Sequence, residues 1–91
     1  MILTDLLSRV HTLHSIAADY DLTEEITAIG LYPLPYMLVE WDGFKRSFSE
    51  FEDLRIVEDT ENGTTFYTVT FTIDRLTYDI GSSTSGGDLH G

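Results

Sequence analysis

The chain contains no cysteine, only two prolines and little positive charge. The absence of cysteine excludes disulfide bonds, cysteine-ligated zinc, iron–sulfur clusters and thiol catalysis. No apolar run approaches the roughly 20 residues that a membrane-spanning helix needs. The opening Met1-Ile2-Leu3-Thr4-Asp5 has no basic residue, so we expect no secretory signal and a non-secreted protein. With 42% hydrophobic and 12% aromatic residues, the 91-residue chain is expected to form one small domain with a packed core.

Acidity dominates the composition, since sixteen acidic residues against five basic ones give a formal net charge of −11. Such a surface disfavours direct contact with DNA, RNA or anionic lipid, all of which bind basic groups. Three explanations stay open: attraction to a basic partner, imitation of a nucleic-acid phosphate backbone, or salt adaptation of a whole proteome. One lysine, Lys45, against four arginines fits the third explanation, although a GC-rich genome also depletes lysine.

The first part of the chain has the period of an amphipathic helix. Between residues 2 and 19, apolar residues recur at spacings of three and four: Leu3, Leu6, Leu7, Val10, Leu13 and Ala17. Thr4 can cap the first turn, where the helix dipole favours Asp5. Beyond this helix, residues 24–29 fit a short helical turn or an irregular segment ended by Gly30, with a strand as the alternative.

Two β-hairpins are predicted after the prolines. The first pairs a strand over residues 36–41 with residues 44–48 through an Asp42-Gly43 turn. The second turns at Asn62-Gly63, the dipeptide that type I′ turns prefer, and pairs Ile56 with Val69. Both pairings place most of the apolar side chains on a single face of the sheet.

The C-terminal part of the chain is predicted to bend and then to lose regular structure. After Ile73 the apolar positions change from odd to even numbers, so we expect a bulge or bend near Asp74-Arg75. Gly81 begins an eleven-residue segment rich in Gly and Ser. The predicted fold is α+β: an N-terminal amphipathic helix packed on a four-stranded antiparallel sheet of two hairpins. This single domain covers residues 1–80, and a flexible Gly/Ser C-terminal tail covers residues 81–91.

No motif predicts catalysis. His11 and His14 lie three residues apart on the helix and could face one metal ion, but a stable zinc site needs three or four ligands. Asp59 to Gly63 could begin a calcium loop, yet Thr70 stands where the bidentate glutamate is needed. Neither a nucleophile elbow nor a Gly-rich phosphate loop occurs. We therefore expect no enzyme activity, no cofactor and no metal.

Two segments are candidate partner-binding surfaces. The first surrounds the two prolines and concentrates apolar and aromatic side chains: Leu31, Tyr32, Leu34 and Tyr36. The second is the densest acidic segment: Glu50, Glu52, Asp53, Glu58, Asp59 and Glu61. The first segment could instead close one end of the core. The second could instead protect an edge strand from aggregation.

The order of elements is similar to that of small neck and tail-completion proteins of tailed phages. The matching pieces are an amphipathic helix at Leu6 to Val10, a proline-led strand at Leu34 to Val39 and a long strand at Phe66 to Asp74. The sequence is shorter than usual for that family and has no obvious second long helix. The resemblance implies a non-catalytic, ring-forming subunit whose flexible segments become ordered on assembly.

Two functions follow from these observations. The first is a non-enzymatic assembly or structural subunit that contacts copies of itself or a basic-surfaced protein, in the cytoplasm or within a virion. The alternative is an acidic stoichiometric inhibitor that mimics nucleic acid, of the anti-restriction, anti-CRISPR or nuclease-immunity type.

Neutralising the acidic segment separates the two functions. Replacing Glu58, Asp59 and Glu61 with Gln or Asn is expected to abolish inhibition of a nucleic-acid enzyme, because mimicry needs those charges. The same replacement should leave assembly nearly unchanged. Inhibition and partner binding are measured with the wild type and the triple variant at low and high salt. Full inhibition by the variant would exclude mimicry by this segment.

Overall fold

The structure, a computed structural model, describes residues 3–51, 54–59 and 62–85. These residues form two helices and five strands: α1 (Leu3–Asp19), β1 (Ile26–Gly30), β2 (Tyr36–Val39), α2 (Trp41–Phe48), β3 (Arg55–Asp59), β4 (Thr64–Ile73) and β5 (Leu76–Ser85). The strands form one sheet in the order β1-β2-β5-β4-β3. Only β2 and β5 pair in parallel. The α+β class and the N-terminal helix are confirmed, whereas the four-stranded antiparallel sheet is wrong.

The first predicted hairpin is wrong, because residues 41–48 form α2 instead of a second strand. Trp41, Phe44 and Phe48 recur at spacings of three and four, which places their rings on one side of a helix. An acidic residue lies in the first turn and two basic residues lie in the last, so their charges match the helix dipole. Asp42-Gly43 therefore lies inside a helix, where burial of the aromatic side chains outweighs the turn preference of this dipeptide.

Residues 26–30 form strand β1, which corrects the preference for a helical or irregular segment. The strand pairs with β2, and the register shifts between Ile26 and Ala28. At its end Gly30 lies opposite Tyr36, and a Cβ at position 30 would overlap the tyrosine ring. Gly30 therefore leaves room for the ring of Tyr36 and does not end a helix.

The change of apolar positions after Ile73 marks a tight hairpin and not a bulge or bend. Asp74 and Arg75 have positive φ values of 51° and 68°, and they join β4 to β5. Ile73 pairs with Leu76, so odd positions of β4 lie opposite even positions of β5 and share a face. Type I′ turns need positive φ at both central residues, and Asp-Arg is not a dipeptide that signals this.

Strand β5 continues to Ser85, so the tail predicted from Gly81 is wrong for residues 81–85; residues 86–91 lie outside the described residues. The second predicted hairpin exists as β3–β4. Its register differs by two residues from the prediction, since Ile56 pairs with Tyr67 and not with Val69. A shift by two keeps every side chain on the face that was predicted for it.

The two helices cover one face of the sheet, and the core lies between them and that face. Phe44 and Phe48 of α2 are fully buried. Aromatic rings surround them with centroid separations of 4.9 to 6.3 Å: Tyr20, Trp41, Phe51, Tyr67 and Phe71. The other buried core residues come from both layers: Leu13, Ile16, Ala17, Leu22, Met37, Val39, Val69, Tyr78 and Ile80.

The predicted helix α1 is confirmed over the described residues, but only its C-terminal half enters the core. Leu13, Ile16 and Ala17 are buried. Leu3 and Leu7, which belong to the predicted apolar stripe, are exposed. The N-terminal half of the stripe is therefore left outside the hydrophobic core.

Replacing Phe48 with alanine tests the one-sided core. Phe48→Ala is expected to lower the free energy of unfolding by about 3–5 kcal/mol, because it leaves a cavity among packed rings. Phe66→Ala is the matched control, since Phe66 is exposed on the opposite face and should cost less than about 1 kcal/mol. Urea unfolding measures both values. If Phe48→Ala and Phe66→Ala lowered the free energy of unfolding equally, the core could not lie on only one side of the sheet.

The β4–β5 turn gives a second stability test. The double variant Asp74→Asn/Arg75→Gly is expected to raise the free energy of unfolding by about 1 kcal/mol, because Asn and Gly adopt positive φ more cheaply. Arg75→Ala keeps a Cβ at the strained position and should bring no gain. Thermal unfolding compares the three proteins. No gain in the double variant would argue against the left-handed turn.

Candidate protein-binding surface

The sheet face opposite the helices, here called the outer face, carries no helix in the described ranges. The residues that the register pairs place on it include Tyr36, Leu38, Arg55, Val57, Phe66, Thr68, Thr70, Asp79, Gly81 and Ser83. Large apolar side chains are exposed among them, including Leu38 at 42% and Phe66 at 46%. Antiparallel sheets commonly have one face exposed to water, and that face usually carries polar side chains.

Two cavities lie side by side, and both are lined by the outer-face residues Leu38, Thr68 and Gly81. The larger one also reaches Val39, Trp41 and Tyr67 on the side that the helices cover. Their volumes are about 310 Å³ and 250 Å³. Gly81 forms the common floor, because a Cβ there would stand 3.3 Å from Leu38 Cδ2 and 3.7 Å from Thr68 Oγ1. The missing side chain at position 81 therefore creates the depression that joins the two cavities.

The larger cavity lies where β2 ends. Pairing between β2 and β5 stops at Leu38 and Gly81, whereas β5 goes on to Ser85. Trp41 and Phe66 contribute aromatic walls to this cavity. Glu40 is the one charged residue among the described residues that line it. The cavity therefore combines aromatic and hydroxyl-bearing side chains with a single negative charge.

The segment around the prolines reaches this surface only in part. Leu34 and Tyr36 line the smaller cavity together with Pro33. Tyr32 is 87% exposed and lines neither cavity, and the half-buried Leu31 lines neither of them. The structure thus brings two of the four predicted residues together with the centre of the outer face.

The predicted acidic segment is divided between different elements. Glu50 follows α2 and is exposed, whereas Glu58 and Asp59 belong to β3, an edge strand of the sheet. Glu52, Asp53 and Glu61 lie outside the described residues. The backbone of Glu58 and Asp59 therefore lies on an edge strand, where the alternative explanation, protection against strand pairing, would apply.

Three polar side chains from β3, β4 and β5 form a hydrogen-bonded cluster on the outer face. Arg55 Nη2 donates to Asp79 Oδ2 at 3.1 Å. Thr70 Oγ1 donates to Asp79 Oδ1 at 2.8 Å. Both carboxylate oxygens are thereby bound, so the cluster ties the three strands together.

A third cavity, of about 240 Å³, is lined by polar and charged residues. It lies between α2 and the chain before β1. Arg46 donates two hydrogen bonds to the Glu25 carboxylate, at 3.0 and 3.2 Å, and one to the Asp21 carbonyl oxygen at 3.2 Å. The hydrogen bond and then the charge of Glu25 raise the pKa of Arg46. This ion pair fixes α2 against the approach to β1.

The described residues give no sign of a metal centre or a membrane span. Over residues 3–51, 54–59 and 62–85, no group of three or more His, Asp or Glu side chains is placed to hold a metal ion. His11 and His14 lie on α1, and both are exposed. Neither helix in these ranges is long and apolar enough to cross a membrane.

Leu38, Phe66 and Gly81 were missed as site residues by the sequence analysis. They come from three strands, and their meeting depends on the parallel pairing of β2 with β5. The only sequence signal is the alternation in β4, which places Phe66 opposite to the buried Tyr67.

Comparison with known proteins adds no relative. No protein-family model, curated protein or solved structure matches the chain. The resemblance to phage neck and tail-completion proteins therefore stays a prediction from the order of elements. The function has to be inferred from the surfaces of the molecule.

Proposed function

We propose that the chain is a non-enzymatic subunit that binds a basic-surfaced protein through its outer face. The observation that carries this proposal is the pair of exposed apolar side chains, Leu38 and Phe66, on either side of the depression at Gly81. Contiguous exposed apolar surface beside a depression is typical of docking sites, because a partner gains by removing it from water. The extended Leu34–Tyr36 segment enlarges the same surface.

The charge of the chain supports a basic partner. The net charge of −11 attracts positive surfaces and repels negative ones over about a Debye length. Within the larger cavity the only charged lining residue of the described part is Glu40. A partner with an apolar patch rimmed by Lys or Arg therefore fits both the shape and the charge of this face.

The proposed role of the chain is to bind other subunits in an assembly, and not to catalyse a reaction. Asp79, the carboxylate nearest the smaller cavity, is bound at both oxygens by Arg55 and Thr70. A virion neck or tail is the assembly that the resemblance to tailed-phage proteins suggests. Nucleic-acid mimicry is the alternative function, and it would use the acidic segment instead of the outer face.

The test is partner binding by surface variants that fold normally. The immobilised full chain captures proteins from a lysate of its source, and each captured protein is purified and titrated against wild type and variants. Leu38→Gln and Phe66→Gln are expected to weaken binding at least about tenfold, because each removes apolar contact area. Binding should also weaken as salt rises, because the attraction to basic groups is screened.

Ile73→Gln is the matched control, since Ile73 is an exposed apolar residue of β4 that is remote from both cavities. This control should bind like the wild type. Equal binding by all three variants would show that the partner uses another surface and would overturn the proposal.

A further inference from the structure

The C-terminal end of β5 is paired on only one side in the described part of the chain. Towards β4 its pairing continues to Ser85. Towards β2 its pairing ends at Gly81, because β2 stops at Val39 and the chain then enters α2. Residues 82–85 of β5, here called the open edge, therefore have no neighbouring strand on that side among the described residues.

The hairpin turn between β4 and β5 fixes which backbone groups of β5 face β4. A two-residue turn is closed by a hydrogen-bonded pair, here Ile73 and Leu76. Hydrogen-bonded pairs then alternate with non-hydrogen-bonded pairs along the two strands. Even-numbered residues of β5 therefore bond to β4, and the N–H and C=O groups of its odd-numbered residues point the opposite way.

An observed hydrogen bond agrees with this alternation. The Asp79 N–H donates to the carbonyl oxygen of Pro35, which directly precedes β2, at 3.1 Å. Asp79 is odd-numbered, so its backbone groups face β2 as expected. The same alternation directs the N–H and C=O groups of Ser83 and Ser85 to the side where β2 has ended. Both residues are exposed, so a partner can reach these groups.

The larger cavity lies directly beside the open edge. Ser82 and Ser83 line it from β5, and Glu40 and Trp41 line it from the chain that follows β2. Ser82 Oγ donates to the Val39 carbonyl oxygen at 2.8 Å and so holds the end of β2 against β5. The cavity therefore lies between the end of β2 and the open edge.

We infer that an extended segment of the basic partner joins the sheet at the open edge, beside β5 and in line with β2. This inference rests on the proposed function, because it names the part of the partner that the same surface holds. The added strand hydrogen-bonds to Ser83 and Ser85, which are two residues apart, the repeat of an extended chain. Main-chain hydrogen bonds of this kind supply affinity when a peptide adds to a sheet edge.

The walls of the cavity specify the side chains of the added strand, whose successive side chains point to opposite faces. On the side that the helices cover, the rings of Trp41 and Tyr67 lie 5.0 Å apart and suit an apolar side chain. The outer face contributes Phe66, and Glu40 adds negative charge to the lining. A Lys or Arg side chain suits that combination. The expected segment therefore alternates basic and apolar residues.

The charge of the chain favours a different protein over a second copy as the source of this strand. Each copy carries a net charge of −11, so two copies repel each other. Arg55 of β3 is the one basic residue in the described strands, and Asp79 already binds it. The described strands of this chain therefore do not offer an alternation of basic and apolar residues.

Amide hydrogen exchange, measured by NMR on the full chain, tests the open edge. In the free protein the amide of Ser83 is expected to exchange at least about tenfold faster than that of Ser82, which bonds to β4. The probe is the peptide acetyl-Lys-Val-Lys-Val-Lys-amide. At saturation it is expected to slow exchange at Ser83 and Ser85 at least about tenfold.

A backbone variant separates strand addition from contact with side chains. Ser83→Pro removes an N–H that the added strand needs, and proline is tolerated in a strand where its nitrogen faces away from the neighbouring strand. This variant is expected to bind the peptide at least about tenfold more weakly and to unfold in urea nearly like the wild type. Ser83→Ala is the matched control, because it keeps the N–H and should bind like the wild type.

A second peptide, acetyl-Lys-Pro-Lys-Pro-Lys-amide, has the same charge but lacks two of the N–H groups. It is expected to bind at least about tenfold more weakly than the first peptide. If Ser83→Pro does not fold, the exchange pattern of the wild type and the two peptides still decide.

Four results would overturn the inference: no binding of the first peptide, equal binding of both peptides, wild-type binding by a folded Ser83→Pro, or slow exchange at Ser83 in the free protein. Slow exchange at every concentration would mean that another part of the chain holds the open edge, and slowing with concentration would mean a second copy. The proposed function is tested separately, since it fails only if Leu38→Gln and Phe66→Gln bind a captured protein like the wild type.

Discussion

The burial of Phe44 and Phe48 against one face of the sheet is the interaction on which the rest of the structure depends. Their rings bring the short helix α2 onto the same face as α1 and join rings from the chain after each helix. With this face filled by aromatic packing, the opposite face has no helix in the described part of the chain. The single-sided core thus leaves Leu38 and Phe66 of the outer face exposed to solvent.

Local patterns predicted much of the fold, and they failed where packing overrode them. The period of α1 and the alternation of β3 and β4 are strong signals within short windows, and both elements exist. Asp42-Gly43 is a strong turn signal, but Trp41, Phe44 and Phe48 gain more from a helix that buries them together. The Asp74-Arg75 turn lacks the usual residues, so only the change from odd to even apolar positions indicated it.

The candidate site was less predictable than the fold, because it is built from distant parts of the chain. Leu34 and Tyr36 were recognised from composition, but Leu38 and Gly81 meet only through a parallel pairing that no local pattern encodes. The charge of the chain was likewise only partly informative at the level of the sequence. The sequence reveals the total of −11, whereas the structure shows that three strands without any charged residue, β1, β2 and β4, lie in one sheet.

The position of β5 in the sheet has a consequence for how the chain folds. β5 is the last of the described strands in sequence order, yet it lies at the centre, between β2 and β4. The hairpins β1–β2 and β3–β4 can form from neighbouring segments, but nothing in the sheet joins them until β5 arrives. Pairing Leu38 with Gly81 closes a long loop, and such closures slow folding. During synthesis, the apolar residues of α1, β2 and α2 therefore remain open to solvent and to chaperones until the final strand has been made.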